Sequence, residues 1–379
     1  MKIAILIYSL SGGGAERVVS YLLAYLQNKG MDVHLVLMNT TISYEIPKNI
    51  PIHYIETSKG GFENGFLKLI KLPWLAYKYA KLLRQLKITH SFALLTRPSY
   101  INILSRYFTT WKYKITISER SYPSMQYGYN NLQSKINNIL IKKLYPKADQ
   151  IICNSHGNAN DLINNYNIAA SKIEVVHNPV DIEKIDKIER KDAFFNDHYV
   201  NLVTVGRLDA GKNHQLLINA VVPFPKIRLY IIGAGNLKNT LNQLIQELKL
   251  EERVFLLGFD NNPYKYLKAA DLFLFGSNHE GFPNVLLEAM ACGLPIVSTN
   301  CKSGPDEIME LQQTKTDDIM LTDYGILSPV GDVALLQKAL AHCLENPEFL
   351  SRSRVRVFER IQDFKREPIL EAYTSHILS

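Results

Sequence analysis

Cysteine is scarce in this sequence. The four residues Cys153, Cys292, Cys301 and Cys343 are scattered through 379 positions without the paired spacing of a metal site. Such usage excludes a disulfide framework and fits reduced thiols in a cytosolic protein. Long apolar runs are missing too, and none approaches the roughly 18–20 residues needed to span a bilayer. The opening MKIAILIYSLSGGGAERVV has the outline of a signal peptide. Its apolar run is short, however, and ends in a Gly-rich loop followed by charge, so it reads as a buried strand. There are no low-complexity tracts. Two nucleotide fingerprints are also missing. In SLSGGGAER, Arg17 stands where G-x-G-x-x-G needs its third glycine, and the second strand ends in LMNT with no acidic residue for a ribose. No G-x-x-x-x-G-K-[ST] occurs, which argues against a P-loop NTPase.

What is present describes a folded protein. The chain is 46% hydrophobic and 21% charged, enough for a sizeable core, and its length suits two domains of ordinary size. The charge is lopsided. Residues 1–180 hold 21 Lys and Arg against 9 Asp and Glu, a net of +12, whereas the remainder holds 22 against 27, a net of −5. A basic half beside a mildly acidic one points to an anionic partner for the first domain only.

Apolar runs alternate with helical patterns. KIAILIY, DVHLVLM, THSFALL, KITISE, DQIICNS and KIEVVHNPV read as strands of the first half, with AERVVSYLLAYLQNKG a helix that Gly30 stops. After a polar segment near residues 182–198 the pattern restarts with VNLVTVGRL, IRLYIIGAG, RVFLLGF, DLFLFGS and PIVST. LKNTLNQLIQELKL and PYKYLKAA are helices between them. Uninterrupted apolar strands separated by helices predict βα units around parallel sheets. The class is α/β, two successive doubly wound domains joined around HNPVD, residues 177–181.

Three motifs sit at strand ends. The Gly-rich loop SLSGGGAER opens the first helix, where backbone N–H groups could cradle a phosphate; a plain tight turn is the alternative. In VGRLDAGKNH, residues 205–214, Arg207 and Lys212 follow a strand, where two cations suit a diphosphate or form a solvated pair. In NHEGFPNVLLEAMACGLPIVSTN, Glu280 and Glu288 stand eight residues apart. Pro283 is expected at the first helical position, leaving the amides of Asn284, Val285 and Leu286 unpaired at the helix mouth. Glu280 then lies ahead of that mouth, and Glu288 lies in the second turn, roughly 7 Å along the axis at about 1.5 Å per residue. A nucleotide sugar fits that geometry, with the sugar at Glu280, phosphates at the N-terminus and a ribose at Glu288. An ordinary surface carboxylate and a loop charge would give the same spacing.

EGFPNVLLEAMACGLPIVST resembles the E-x7-E signature of retaining glycosyltransferases of family 4, and SGGGAERVV, VGRLDAGKNH, IIGAGNLKNTL and LLGF follow in that family's order. The resemblance covers nearly the whole chain. It implies the GT-B fold, two Rossmann-like doubly wound domains facing across a cleft. The division is 1–180 for the acceptor- and membrane-facing domain, 181–360 for the nucleotide-sugar domain and 361–379 for a helix crossing back to the first. ISYEIPKNIPIHYIETSKGGFENGFLKLIKLPWLAYKY and LIKKLYPKAD are similar to a narrower branch, which acts in bacterial N-glycosylation. That branch transfers α1,4-linked GalNAc from UDP-GalNAc to GalNAc-bacillosamine on undecaprenyl diphosphate at the cytoplasmic membrane face. Partners implied are therefore UDP-GalNAc, a polyprenyl-diphosphate-linked oligosaccharide and an anionic membrane surface, with no nucleic acid.

By position, the resemblance gives Glu280 to hydroxyls of the transferred sugar and Glu288 to the ribose. Arg207 and Lys212 go to the diphosphate as an electrostatic clamp on the departing charge. Gly281, Phe282, Pro283, Asn284 and Val285, with Gly235 and Gly14, complete the donor side. Gly13, Glu16, Arg17, Glu119 and Arg120 are the acceptor-side candidates. Many relatives carry a histidine in the loop corresponding to ISERSYP, where this chain has Glu119 and Arg120. No D-x-D occurs anywhere, GT-B enzymes usually need no metal, and no cofactor or metal is expected, the cations replacing a divalent ion at the diphosphate.

Residues 66–87 read FLKLIKLPWLAYKYAKLLRQLK, with no acidic residue. Lys68, Lys71, Lys78, Lys81, Arg84 and Lys87 alternate with Trp74, Tyr77 and Tyr79, and Leu67, Leu69, Ile70, Leu72 and Leu75 supply apolar contact. Pro73 should start or kink the helix. An interfacial helix on an anionic leaflet needs these residue types; a surface helix with leucines inside and lysines solvated would use them too. Two further functions stay open: a related transferase of capsule or O-antigen assembly, and a GT-B sugar-nucleotide epimerase using carboxylates and histidines on a UDP-sugar alone. A non-enzymatic sugar-binding module is more distant.

Overall fold

The computed structural model describes residues 1–58, 65–191, 194–195, 198–312 and 316–379, the side chains of residues 58, 65 and 66 excepted. The side chain of Phe66 and residues 192–193 and 196–197 of the polar segment thus lie outside the description. The chain forms two compact units. The first comprises Met1–Pro179 with Arg366–Ser379, the second Val180–Lys365.

In the first unit, strands β1 (Lys2–Ile7), β2 (Asp32–Asn39), β3 (Ile52–Ser58), β4 (His90–Leu94), β5 (Lys114–Glu119), β6 (Gln150–Cys153) and β7 (Ile173–Val175) form one sheet in the order β3-β2-β1-β4-β5-β6-β7. Every pairing is parallel. Ile3–Ile7 are buried as an unbroken run, as a strand covered on both faces must be. Helix α1 (Gly14–Asn28) ends where Gly30 takes φ +71°, a left-handed stop that glycine adopts without strain.

The second unit repeats the plan. Strands β8 (Val200–Val205), β9 (Ile227–Ile232), β10 (Val254–Gly258), β11 (Leu272–Phe275), β12 (Ile296–Thr299), β13 (Met320–Thr322) and β14 (Gly325–Ser328) lie in the order β10-β9-β8-β11-β12-β14-β13. Only β13 is antiparallel. Three strands escape the sequence reading. β3, at a sheet edge, mixes Ile52 and Ile55 with His53, Glu56 and Thr57, and β13 and β14 are short segments with no apolar run longer than two residues. Both units are Rossmann-like doubly wound sheets.

The C-terminal helix Arg366–Leu378 belongs to the first unit. Its Tyr373 is buried; the hydroxyl accepts from Arg120 Nη1 at 2.5 Å and donates to the Val176 carbonyl at 3.1 Å. Residues 361–365, expected to travel with this helix, stay in the second unit.

Helices α2 (Gly65–Ile70) and α3 (Leu72–Leu86) carry the basic stretch, with Pro73 in the first turn of α3. Leu72, Leu75, Ala76, Tyr79, Ala80 and Leu83 are buried, so Leu72, Leu75 and Tyr79 serve the core rather than an external surface. Tyr79 and Ser91 hydroxyls meet at 2.7 Å. Leu67, Ile70, Trp74 and Tyr77 are exposed, and the Lys78 ammonium lies 3.9 Å from the Trp74 ring centroid. Lys71 sits 3.6 Å from Glu56, which also holds Arg97 at 2.9 Å, so its charge is partly neutralised within the unit. Among the described residues, no helix is long and apolar enough to cross a membrane.

Candidate functional site

The second unit concentrates its polar chemistry at the carboxyl ends of β8 and β11, neighbours in the sheet. Ligands of open parallel sheets bind on that edge. The loop after β8 carries Arg207 and Lys212. Arg207 is 83% exposed, its Nε 3.4 Å from Asp209. Asp209 Oδ1 also accepts the Lys212 amide at 3.1 Å. The Lys212 ammonium reaches the loop after β11 and pairs with Glu280 Oε1, which also accepts the Ser277 hydroxyl at 2.6 Å. The two candidate residues are thus bonded to each other. Behind them His214 is buried; burial first, then the Lys212 charge, pushes its imidazole down to about 4, so it is neutral near pH 7.

Backbone and asparagine side-chain hydrogen bonds tie the two loops together. The Asn278 amide donates to the Gly211 carbonyl at 2.9 Å, Asn278 Nδ2 to the Ala210 carbonyl at 3.0 Å, and Asn213 Nδ2 to Asn278 Oδ1 at 3.0 Å. Gly235 makes a third loop possible. A Cβ there would fall 2.4 Å from the Leu208 carbonyl oxygen, so only glycine lets the segment after β9 lie against the Arg207 loop. The Leu208 amide donates to Ala234, and Leu237 donates back to Leu208, both at 3.0 Å.

The helix Asn284–Ala291 starts one residue later than its sequence suggests. Pro283 is the N-cap, with φ −74° and ψ 103°. The Leu286 amide donates to the Pro283 carbonyl at 3.1 Å and is not open as expected. Phe282 is buried with its ring 5.8 Å from Phe364, so its side chain anchors the loop to the core, and the Gly281 carbonyl accepts the Ser303 hydroxyl at 2.6 Å. Glu288 is 5% exposed. That excludes the ordinary surface carboxylate, because an ionised group is rarely buried without a purpose.

The first-unit candidates behave differently. Glu16, at the third position of α1, folds back on the Gly-rich loop. Its Oε2 accepts the Gly12 and Gly13 amides at 2.6 and 2.7 Å, and its Oε1 accepts the Ser9 hydroxyl at 2.7 Å. This is half of a capping box, with a carboxylate of the chain itself in the anion position. The expected open phosphate cradle is corrected accordingly. Glu16 holds the loop's shape, and the Gly13 carbonyl accepts Tyr44 Oη at 3.1 Å. Gly14 and Arg17 open the helix, the Arg17 amide bonding to the Gly13 carbonyl at 3.0 Å.

Glu119 and Arg120 are buried, which corrects their placement against an acceptor. Glu119 accepts the Tyr145 hydroxyl at 2.7 Å, the Ser121 hydroxyl at 2.9 Å and the Arg120 amide at 2.9 Å, while burial raises its pKa. Arg120 binds Tyr373 and Asn178 and fastens the C-terminal helix. The structure thus brings together Arg207, Lys212 and Glu280, with Glu288 on the helix that follows. Sequence reasoning missed Ser277, Asp209 and Asn278. Asp209 and Asn278 lie inside the quoted motifs and Ser277 closes the strand stretch just before one, but a Ser, Asp or Asn in a loop carries no signal of its own.

The family model described as Glycosyltransferase Family 4 matches residues 12–184, and the one described as Glycosyl transferases group 1 matches residues 185–358. Over 368 residues the chain is 44% identical to the N-acetylgalactosamine-N,N'-diacetylbacillosaminyl-diphospho-undecaprenol 4-alpha-N-acetylgalactosaminyltransferase of Campylobacter jejuni, covering 95% of this chain and 96% of that one. Among solved structures, sucrose-phosphate synthase of Thermosynechococcus elongatus aligns with TM-score 0.83 at 17% identity, covering 99% and 98% of the two chains. Anabaena HepE in complex with UDP aligns with TM-score 0.77 at 19% identity, covering 99% of each. These structural likenesses concern the fold, which is GT-B.

Proposed function

This chain is a glycosyltransferase of family 4, and we propose that it transfers GalNAc from UDP-GalNAc, with α1,4 linkage and retention, to GalNAc-bacillosamine carried on undecaprenyl diphosphate. The observation that carries the proposal is the 44% identity across almost the full length of both chains to a relative whose name states 4-alpha-N-acetylgalactosaminyl transfer to that diphospho-undecaprenol-linked acceptor. The strand-end site supports it. Lys212 and Arg207 supply positive charge for a diphosphate, Glu280 a carboxylate for a sugar hydroxyl, and Glu288 a buried carboxylate for the ribose.

In the proposed step the anomeric carbon–phosphate oxygen bond breaks while the bond to the acceptor oxygen forms on the same face. The acceptor's proton passes to the departing phosphate oxygen, and UDP leaves. No enzyme nucleophile is required, so the paired-carboxylate scheme of glycosidases does not apply. Lys212 and Arg207 stabilise the charge that develops on the phosphate, which is the work a preorganised cation does best. No divalent ion takes part. Retention is tested by the anomeric configuration of the product, read from the coupling of its new anomeric proton. An α product from the α-linked donor is expected, and a β product contradicts the mechanism.

The lipid carrier requires the enzyme to work at a membrane surface, and α2–α3 is the face proposed for it. Trp74, Tyr77, Leu67 and Ile70 are exposed there beside Lys68, Lys78, Lys81 and Arg84, on the half of the chain with net charge +12. Each cation near an anionic leaflet contributes roughly 1 kcal/mol. Exchanging Lys78, Lys81 and Arg84 for Glu should therefore weaken binding to anionic liposomes at least about 100-fold while the melting temperature holds. Sedimentation measures this, and equal binding of variant and wild type would remove the membrane role of this face.

A further inference from the structure

We propose that Ser277 is the positioning residue that keeps Glu280 in its working orientation when the donor's diphosphate draws Lys212 away. The inference rests on the donor-site reading above.

Glu280 Oε1 has two partners of different kinds. Lys212 contributes an ammonium at the end of a flexible chain, and its charge is what an arriving diphosphate competes for. Ser277 contributes a short, completely buried side chain on a loop fixed from both sides. Its own carbonyl accepts the Thr299 hydroxyl at 2.7 Å, and the next residue is bonded to the Lys212 loop by the Asn278 contacts. The Ser277 hydroxyl has one hydrogen and three acceptors in reach: Glu280 at 2.6 Å, the Gly211 carbonyl at 3.1 Å and the His279 carbonyl at 3.4 Å. The carboxylate is the nearest acceptor and a stronger one than either carbonyl, so the hydroxyl donates its hydrogen bond there.

Of the two contacts, therefore, only Lys212 can be exchanged without moving the backbone. Once the diphosphate holds Lys212, Ser277 remains on Oε1 and Glu280 turns Oε2 to the sugar. A carboxylate released from both donors would rotate, and small misplacements at a reacting centre cost rate rather than affinity.

The test is Ser277→Ala, alone and with Glu280→Ala, read as kcat, KM for the UDP-sugar, Kd for UDP and melting temperature. The Ala variant removes one oxygen and introduces no clash. The expected result is a fall in kcat of about tenfold with the UDP Kd within about twofold of wild type, and no further loss when Glu280 is already Ala. Ser277→Thr, which keeps the donor, should recover most of the rate, and Ser277→Cys, of similar size but a weak donor, should not. Unchanged kcat in Ser277→Ala would overturn the proposal. So would additive losses in the double variant, or a parallel loss of UDP affinity and melting temperature, which would mark a purely structural serine. Near wild-type turnover in Glu280→Ala would instead remove the donor-site reading itself, so the two failures are distinguishable.

Discussion

Glu280→Ala is expected to lower sugar transfer by about 100-fold or more while the protein stays folded and still binds UDP. A hydrogen bond to a charged group is worth roughly 1.5–3 kcal/mol, about 10- to 150-fold in rate, and loss of sugar orientation adds to it. The fold should survive because Glu280 sits in a loop and the Asn278 contacts that join the two loops do not involve its side chain. UDP affinity should not fall, because removing the carboxylate frees the Lys212 ammonium from its partner. Transfer rates, UDP calorimetry and a melting curve on one preparation check all three statements. Near wild-type turnover in the folded variant would end the assignment.

Lys212→Ala should weaken UDP binding by about 10- to 100-fold and slow turnover at least as much, since the diphosphate loses its less exposed cation. Its effect on the fold differs from that of Glu280→Ala. Glu280 has a side-chain exposure of 14% and, among the described residues, would keep Ser277 alone as partner, and a carboxylate left half-compensated in such a site destabilises the protein by about 1–3 kcal/mol. The double variant Lys212→Ala with Glu280→Ala should recover much of that stability while recovering no activity. Such non-additivity is the signature of a directly coupled pair. Additive melting shifts would show that the two side chains do not interact in solution.

Much of the fold was legible because a parallel strand covered on both faces must be largely apolar, and β1 and β11 carry such runs. The grouping of the strand-end candidates was legible for a related reason. Strand ends place their loops on one edge, so Arg207, Lys212 and Glu280 had to share it. Sequence spacing carries no information on how side chains pair across that edge. Lys212 and Glu280 are 68 positions apart, and their ion pair and its Ser277 anchor emerge only from the folded loops. Glu16 shows the opposite failure. An open Gly-rich loop and one filled by the chain's own carboxylate have the same composition, and only the capping geometry separates them. Glu119 and Arg120 were placed at the acceptor by the resemblance alone; burial against Tyr145 and the C-terminal helix was decided by residues far along the chain.

We propose that this enzyme moves one N-acetylgalactosamine from its nucleotide to a lipid-borne sugar by means of its own cations. The decisive experiment incubates it with UDP-GalNAc and undecaprenyl-diphosphate-linked GalNAc-bacillosamine, with EDTA throughout, and weighs the lipid product by mass spectrometry. The expected result is a gain of one N-acetylhexosamine per lipid, release of UDP only when the acceptor is present, and no stimulation by Mg²⁺ or Mn²⁺. Conversion of UDP-GalNAc to an isomeric sugar nucleotide without acceptor, or transfer that appears only when a divalent ion is restored, would contradict it.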